Sequence, residues 1–276
     1  MIFSVNVFTT FVLPALVITA LAAIIAFFLS FLGNKLKVDH DERIDEVRGN
    51  LSGANCGGCG FAGCDAFAEA LVKGEASLSQ CHSTPDEGRE NIAKILGIAV
   101  EKSDPTVAVV HCIGGANCAD KFTYVGAHDC SLATGVSGGC KACSYGCLGL
   151  GTCVKACPYG AIKVGKDDVS QVDYEICRSC GACISACPKG IVDRIPASAK
   201  VYVGCSNHGK GKEVIAACKK GCIACGKCER SCPEGAIKLV DNLPVIDYKK
   251  CVGCYACADG CPRKCIIKIG AENVVG

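Results

Sequence analysis

Apolar positions change their period twice along this chain. Residues Met1–Asn34 carry no charge, and Val7–Leu32 is dominated by Val, Ile, Leu, Phe and Ala. About 20 such residues cross a bilayer core as a helix, so this stretch predicts a membrane span. Pro14 and Thr19 are tolerated in such a helix. A cleavable leader would need a basic start, a shorter apolar run and a small-x-small site. Met1–Asn6 has no base, and Phe27-Phe28-Leu29-Ser30-Phe31-Leu32 is a poor site. The expectation is an uncleaved, single-pass anchor. Lys35 and Lys37 follow it directly, which by the positive-inside rule puts the C-terminal bulk on the cytoplasmic side of an inner membrane.

After a charged linker at Val38–Val47 the pattern becomes helical. Asp65–Lys73 sets Phe67, Ala70 and Leu71 on one face. Thr84-Pro85-Asp86-Glu87 has capping-box spacing with proline at the first helical position, predicting a helix to Leu96. Further on, the apolar runs are short. Val107–Cys112 and Val201–Cys205 read as strands ending in a cysteine, and Cys140 and Cys218 each stand before a later cysteine run. Ala161-Ile162-Lys163…Val172-Asp173-Tyr174 and Ala236-Ile237-Lys238…Ile246-Asp247-Tyr248 read as matching hairpins. The fold class expected is α+β. Its parts are an anchor at 1–34, a small helical module at 35–98 and two similar mixed modules at 99–198 and 199–276.

Composition changes this picture through one residue type. The chain has 27 cysteines and no tryptophan, so thiolate bonds to metal must replace burial that a richer core would supply. A secreted disulfide scaffold is the other source of such cysteine usage. Here the cysteines stand two or three residues apart in repeated runs followed by proline, which aims sulfurs at one centre. Cys177-x2-Cys180-x2-Cys183-x3-Cys187-Pro188 recurs from Cys222 to Pro233 and from Cys251 to Pro262. A stretched copy runs Cys143-x3-Cys147-x5-Cys153-x3-Cys157-Pro158.

This run is the bacterial two-cluster ferredoxin signature, whose fourth cysteine ligates the other [4Fe–4S] cluster of a pair. The rule predicts four sets: Cys177, Cys180, Cys183 with Cys157; Cys143, Cys147, Cys153 with Cys187; Cys222, Cys225, Cys228 with Cys261; and Cys251, Cys254, Cys257 with Cys232. In the stretched copy Cys140 is an alternative to Cys143. Cys56, Cys59, Cys64 and Cys81 make a fifth, separate set, with Gly57, Gly58, Gly60 and Gly63 letting backbone amides approach its sulfurs. Cys112, Cys118, Cys130 and Cys140 are candidates for a sixth cluster, although their spacing fits no familiar pattern. Cys205 and Cys218 read as buried thiols, Cys265 is left over without a role, and His82, His111 and His128 read as packed or solvated side chains.

Zinc is the competing metal, but it wants two separated C-x2-C hooks and leaves the third cysteine of each run without a use. Gly58-Cys59-Gly60-Phe61-Ala62-Gly63 fits G-x-G-x-x-G only literally, since no strand precedes it and a candidate ligand sits inside it. The formal charge of +2 counts cysteines as neutral; five clusters would bring it to roughly −8. Lysine and arginine are scattered, which argues against a nucleic-acid surface.

With these residues in hand, the chain resembles the B subunits of the Rnf complexes, ion-translocating ferredoxin:NAD+ oxidoreductases. The resemblance rests on the uncharged N-terminus, Arg43-Ile44-Asp45-Glu46-Val47, the segment Leu51–Cys64 with Cys81, and Gly146–Gly151 inside the Cys143–Pro158 segment. It implies a translocase subunit that takes electrons from soluble reduced ferredoxin and passes them toward membrane and flavin subunits that reduce NAD+. The coupled ion would be Na+ or H+. No flavin, nicotinamide or acid/base site is legible on this chain, so no catalytic residue is expected. The alternatives are an electron-transfer subunit of another membrane redox enzyme, or a tethered redox sensor or reducing system for a transcription factor.

Overall fold

A computed structural model describes residues 13–35, 41–99 and 104–270. Residues 7–12 of the expected anchor and Lys37 lie outside them. Helix α1 (Leu13–Lys35) belongs to the first of two bodies, residues 1–42. Its 23 residues rise about 34 Å, enough to cross a bilayer core. Its window Ala15–Leu32 has no buried residue, and the Thr19 hydroxyl donates back to the Ala15 carbonyl at 2.9 Å.

Residues 43–276 form the second body. Its first part is helical: α2 (Glu42–Asn50), α3 (Cys64–Val72) and α4 (Asp86–Leu96). Val47, Leu51, Phe67, Ala68, Leu71 and Ile92 close one small core, with the Phe61 and Phe67 rings 5.4 Å apart. The expected capping box does not form. Pro85 is the N-cap of α4 and no side chain caps it. Thr84 is buried instead and donates to the Cys81 sulfur at 3.1 Å.

Two mixed modules follow. In the first, β1 (Thr106–Val110) pairs antiparallel with β4 (Val192–Pro196), Val110 facing Val192. Between them come α5 (Cys130–Gly135), α6 (Thr152–Ala156), the hairpin β2 (Ile162–Val164) with β3 (Ser170–Val172), and α7 (Ala182–Ser185). In the second, β5 (Val201–Val203) pairs with β8 (Ile266–Lys268). They enclose α8 (Gly211–Ala217), α9 (Lys227–Arg230), the hairpin β6 (Ile237–Val240) with β7 (Leu243–Ile246), and α10 (Ala256–Gly260). Asp241 and Asn242 both take positive φ between β6 and β7, the geometry a two-residue hairpin turn demands.

The modules share a core in which Val107, Val109 and Ile195 of one sheet meet Tyr202 and Ile267 of the other. Polar bonds add to it. His111 Nδ1 lies 2.6 Å from the Val203 carbonyl, and the Ala119 amide donates to Ala217 O at 2.9 Å.

Candidate metal centres

Each cysteine run is a tight loop in which residues of opposite backbone handedness alternate. Positive φ occurs at Gly149 and Gly151, Ser179 and Gly181, Ala224 and Gly226, Gly253 and Tyr255. Successive amides then turn inward as an anion-binding concavity, and the short helices α6, α7, α9 and α10 start at these points. Serine, alanine and tyrosine in this region are strained, so the loops must be held by what surrounds them.

The cysteines gather in groups. Cys56, Cys59, Cys64 and Cys81 line one cavity of about 310 Å3. Cys222, Cys225, Cys228, Cys261 and Cys265 line another of about 360 Å3. Cys157 lies near Cys177, Cys180 and Cys183: burial, then the charges of Cys177, Cys180, Cys153 and Cys157, push the Cys183 thiol up to about 12. Loading metal would replace such protons, since ligand thiols must ionise. Cys232 and Cys251 neighbour Cys257, whose thiol burial raises to about 11. The amides of Ala236 and Cys265 donate to the sulfurs of Cys232 and Cys261 at 3.3 Å. Bonds of that kind support a cluster thiolate.

The stretched run departs from expectation. Cys147, Cys153 and Cys187 line a cavity of about 350 Å3 whose fourth cysteine is Cys130, not Cys143. Aligning Cys157-Pro158 with Cys232-Pro233 gives the reason. Cys147 and Cys153 then match Cys222 and Cys228, and Leu150 stands where Cys225 stands. The run is ordinary in length but lacks its middle cysteine, and Cys130 arrives from the start of α5. There Asp129 Oδ1 accepts the Ser131 and Leu132 amides, and the Cys130 amide donates to Thr152 Oγ1 at 2.6 Å.

The candidate sixth set of Cys112, Cys118, Cys130 and Cys140 is not brought together either. Cys130 goes to the cavity just described, and Cys140 packs beside it with Leu148. Cys112 and Cys118 line a further cavity of about 350 Å3 with Cys143, Cys205 and Cys218. The signal for this lies in the match of Cys147 to Cys222, because it equates Cys143, rather than Cys140, with Cys218.

These cavities suit clusters better than single ions. Among the described residues no three His, Cys, Asp or Glu side chains converge closely enough for one metal ion. Four thiolates around a single zinc would sit only about 3.8 Å apart. A separate open cleft, about 1200 Å3, has a single cysteine in its lining, Cys112.

The groups abut one another. A Cβ on Gly58 would come 1.7 Å from Cys180 O and 3.6 Å from Cys56 Sγ, so only glycine lets the helical module press against the next cysteine loop. Cys153 neighbours Cys183, and Cys228 shares a core with Cys257.

Comparison with known proteins agrees with this chemistry. Residues 51–83 match the FeS family of Fe-S cluster modules, 170–193 the 4Fe-4S binding domain and 221–265 the 4Fe-4S dicluster domain. The B subunit of the ion-translocating oxidoreductase complex of Methanosarcina acetivorans is 43% identical over 235 residues, covering 85% of this chain and 89% of the relative. The B subunit of the proton-translocating ferredoxin:NAD(+) oxidoreductase complex of Clostridium ljungdahlii is 42% identical, covering 86% and 84%. The Na(+)-translocating counterpart of Acetobacterium woodii is 40% identical, covering 80% and 67%. The cysteine-lined groups, the apolar helix and these relatives converge: the chain belongs to the family of B subunits of the ion-translocating ferredoxin:NAD+ oxidoreductase (Rnf) complexes and is an electron-transfer subunit.

Proposed function

We propose that this subunit carries electrons from a soluble ferredoxin on the cytoplasmic side toward the membrane and flavin subunits of its complex. The five sites of this reading are Cys56, Cys59, Cys64, Cys81; Cys157, Cys177, Cys180, Cys183; Cys130, Cys147, Cys153, Cys187; Cys222, Cys225, Cys228, Cys261; and Cys232, Cys251, Cys254, Cys257. A [4Fe–4S] cluster at each would exchange one electron at a potential set by its hydrogen bonds and solvent exposure. What supports the reading is proximity within each group of sites: Gly58 packs on the Cys180 carbonyl, Cys153 lies near enough to Cys183 for its charge to act there, and Cys228 shares a core with Cys257. A sensor would need one site, whereas several sites close together suit conduction.

The ferredoxin donor is named by the relatives from Clostridium ljungdahlii and Acetobacterium woodii. Reduction of NAD+ and ion movement belong to other subunits in this reading. Purified anaerobically in its complex, the subunit should co-purify with flavin-bearing partners and be reduced by ferredoxin within a turnover. Reduction by dithionite but never by ferredoxin would sink the reading. Protease access to Cys56–Gly276 from outside the cell would reverse the topology.

A further inference from the structure

Thr84 stands where a helix cap would, yet its hydroxyl is spent elsewhere. It donates to Cys81 Sγ at 3.1 Å, and Ser83 Oγ lies 3.6 Å from the same sulfur. Thr84 and Arg89 are both buried, 4% and 5% exposed. The Arg89 guanidinium donates to the Cys81 carbonyl and, at 3.2 Å, to the Thr84 carbonyl. We propose that Thr84, positioned by Arg89, raises the reduction potential of the cluster held by Cys56, Cys59, Cys64 and Cys81, resting on the five-site reading only for the presence of that cluster.

The chemistry of the donors carries this. A hydroxyl aimed at a neutral thiol makes a weak bond, because thiol sulfur is a poor acceptor. Aimed at a ligand thiolate, it makes a charge-assisted bond about twice as strong as a neutral one. Reduction adds one electron and takes the core with its four thiolates from about −2 to about −3. The Thr84 hydroxyl and the buried Arg89 cation both favour the more negative state, so both move the potential up.

The arrangement is fixed from several sides. The Cys81 amide donates to the Leu78 carbonyl at 3.3 Å, which sets the backbone at this cysteine. A Cβ on Gly88 would meet Thr84 Cγ2 at 3.2 Å, so α4 presses on the Thr84 methyl while its hydroxyl faces Cys81. Ser52 Oγ lies 3.0 Å from Ser83 Oγ and holds the second hydroxyl in place. In the ferredoxin modules Cys153 meets the Ser170 hydroxyl at 3.2 Å, and Cys232 and Cys261 meet backbone amides at 3.3 Å.

Placement gives the tuning its use. Gly58 of the same module packs on the carbonyl of Cys180, a residue of the neighbouring site. A raised potential beside that contact favours the electron on the helical module, the soluble module next to the apolar helix in sequence.

Full-length protein, purified anaerobically in its complex, tests this by an EPR-monitored redox titration. Cys56→Ser should change or abolish one cluster signal and so identify the cluster concerned. Thr84→Val removes the hydroxyl and keeps the side-chain shape. Reduction of that cluster should become about five-fold less favourable, a midpoint about 40 mV lower at 59 mV per tenfold, with iron content unchanged. Thr84→Ser keeps the donor and should keep the original midpoint. Should Thr84→Val fail to fold, Arg89→Gln supplies the second arm and should lower the same midpoint. An unmoved midpoint in either loaded variant, or a Thr84→Ser midpoint as low as that of Thr84→Val, overturns the proposal and leaves the five-site reading standing. No signal sensitive to Cys56→Ser would overturn both.

Discussion

The two ferredoxin modules are copies that differ at one corner. In the second, the run itself offers Cys222, Cys225 and Cys228, and Cys225 is exposed. In the first, Leu150 takes the place of Cys225, and Cys130 is brought in from α5 and buried. On the proposed ligation, a cluster site would keep its cavity while one ligand changes its origin, provided the replacement is anchored. Here the anchors are the Asp129 cap and the Thr152 hydroxyl. Covering that corner also shields it from water. A drier site disfavours the more negative reduced cluster, so the first module should run at the lower potential of the two.

The sharpest break of this comparison is Cys130→Ala. It should cost the first module one of its two clusters, or leave a three-iron remnant there, and Cys225→Ala should do the same in the second. Adding Leu150→Cys to Cys130→Ala should restore a four-iron signal by rebuilding the second module's pattern. Iron analysis and EPR read both results, and no rescue would mean that Leu150 is not the vacated position.

Crossover comes next. Cys187→Ala should alter the same EPR signal as Cys147→Ala, and Cys261→Ala the same as Cys222→Ala. If Cys187→Ala instead matches Cys180→Ala, each run binds its own cluster and the pairing is wrong. Gly58→Val has a smaller and purely mechanical effect. Its side chain would overlap the Cys180 carbonyl, so the helical module should loosen at a cost of about 1–3 kcal/mol. Faster amide exchange at 56–64 and 178–182, with iron content intact, is the expected result; unchanged exchange would show that the contact bears no strain.

The smallest expected effect is electrostatic. Ser170 Oγ lies 3.2 Å from Cys153 Sγ, and its register equivalent in the second hairpin is Pro244, which has no hydroxyl. A hydroxyl donated to a cluster thiolate favours the reduced state, so Ser170→Ala should lower that cluster's potential. At about 1 kcal/mol per bond the shift is about 40 mV, in the first module alone. A redox titration that moves a second-module signal instead would disprove the assignment.

Much of this is legible in the chain. Asp65–Lys73 reads as a helix with Phe67, Ala70 and Leu71 inward, and α3 buries all three. The two hairpins follow from matched text either side of each turn, and β2–β3 and β6–β7 form there. Thr84 misleads because capping-box spacing is a local signal, and the nearby Cys81 sulfur takes its hydroxyl. Cys143 misleads because counting cysteines forward along the run hides a missing one. Counting back from Pro158 exposes Leu150 in the empty position.

By itself the sequence determined the apolar helix, the cysteine loops and the repetition of the ferredoxin unit. These depend on spacing over a few residues, where bond geometry leaves little choice. Only the tertiary structure decided that Cys130 joins Cys147, Cys153 and Cys187, and that Cys112, Cys143, Cys205 and Cys218 meet between the modules. Those groups join positions separated by tens of residues and, in the second case, by a whole module. Spacing cannot specify such meetings: the first depends on how Thr152 and Asp129 seat Cys130 within its module, and the second on how the β1–β4 and β5–β8 sheets pack through Val109, Ile195 and Tyr202.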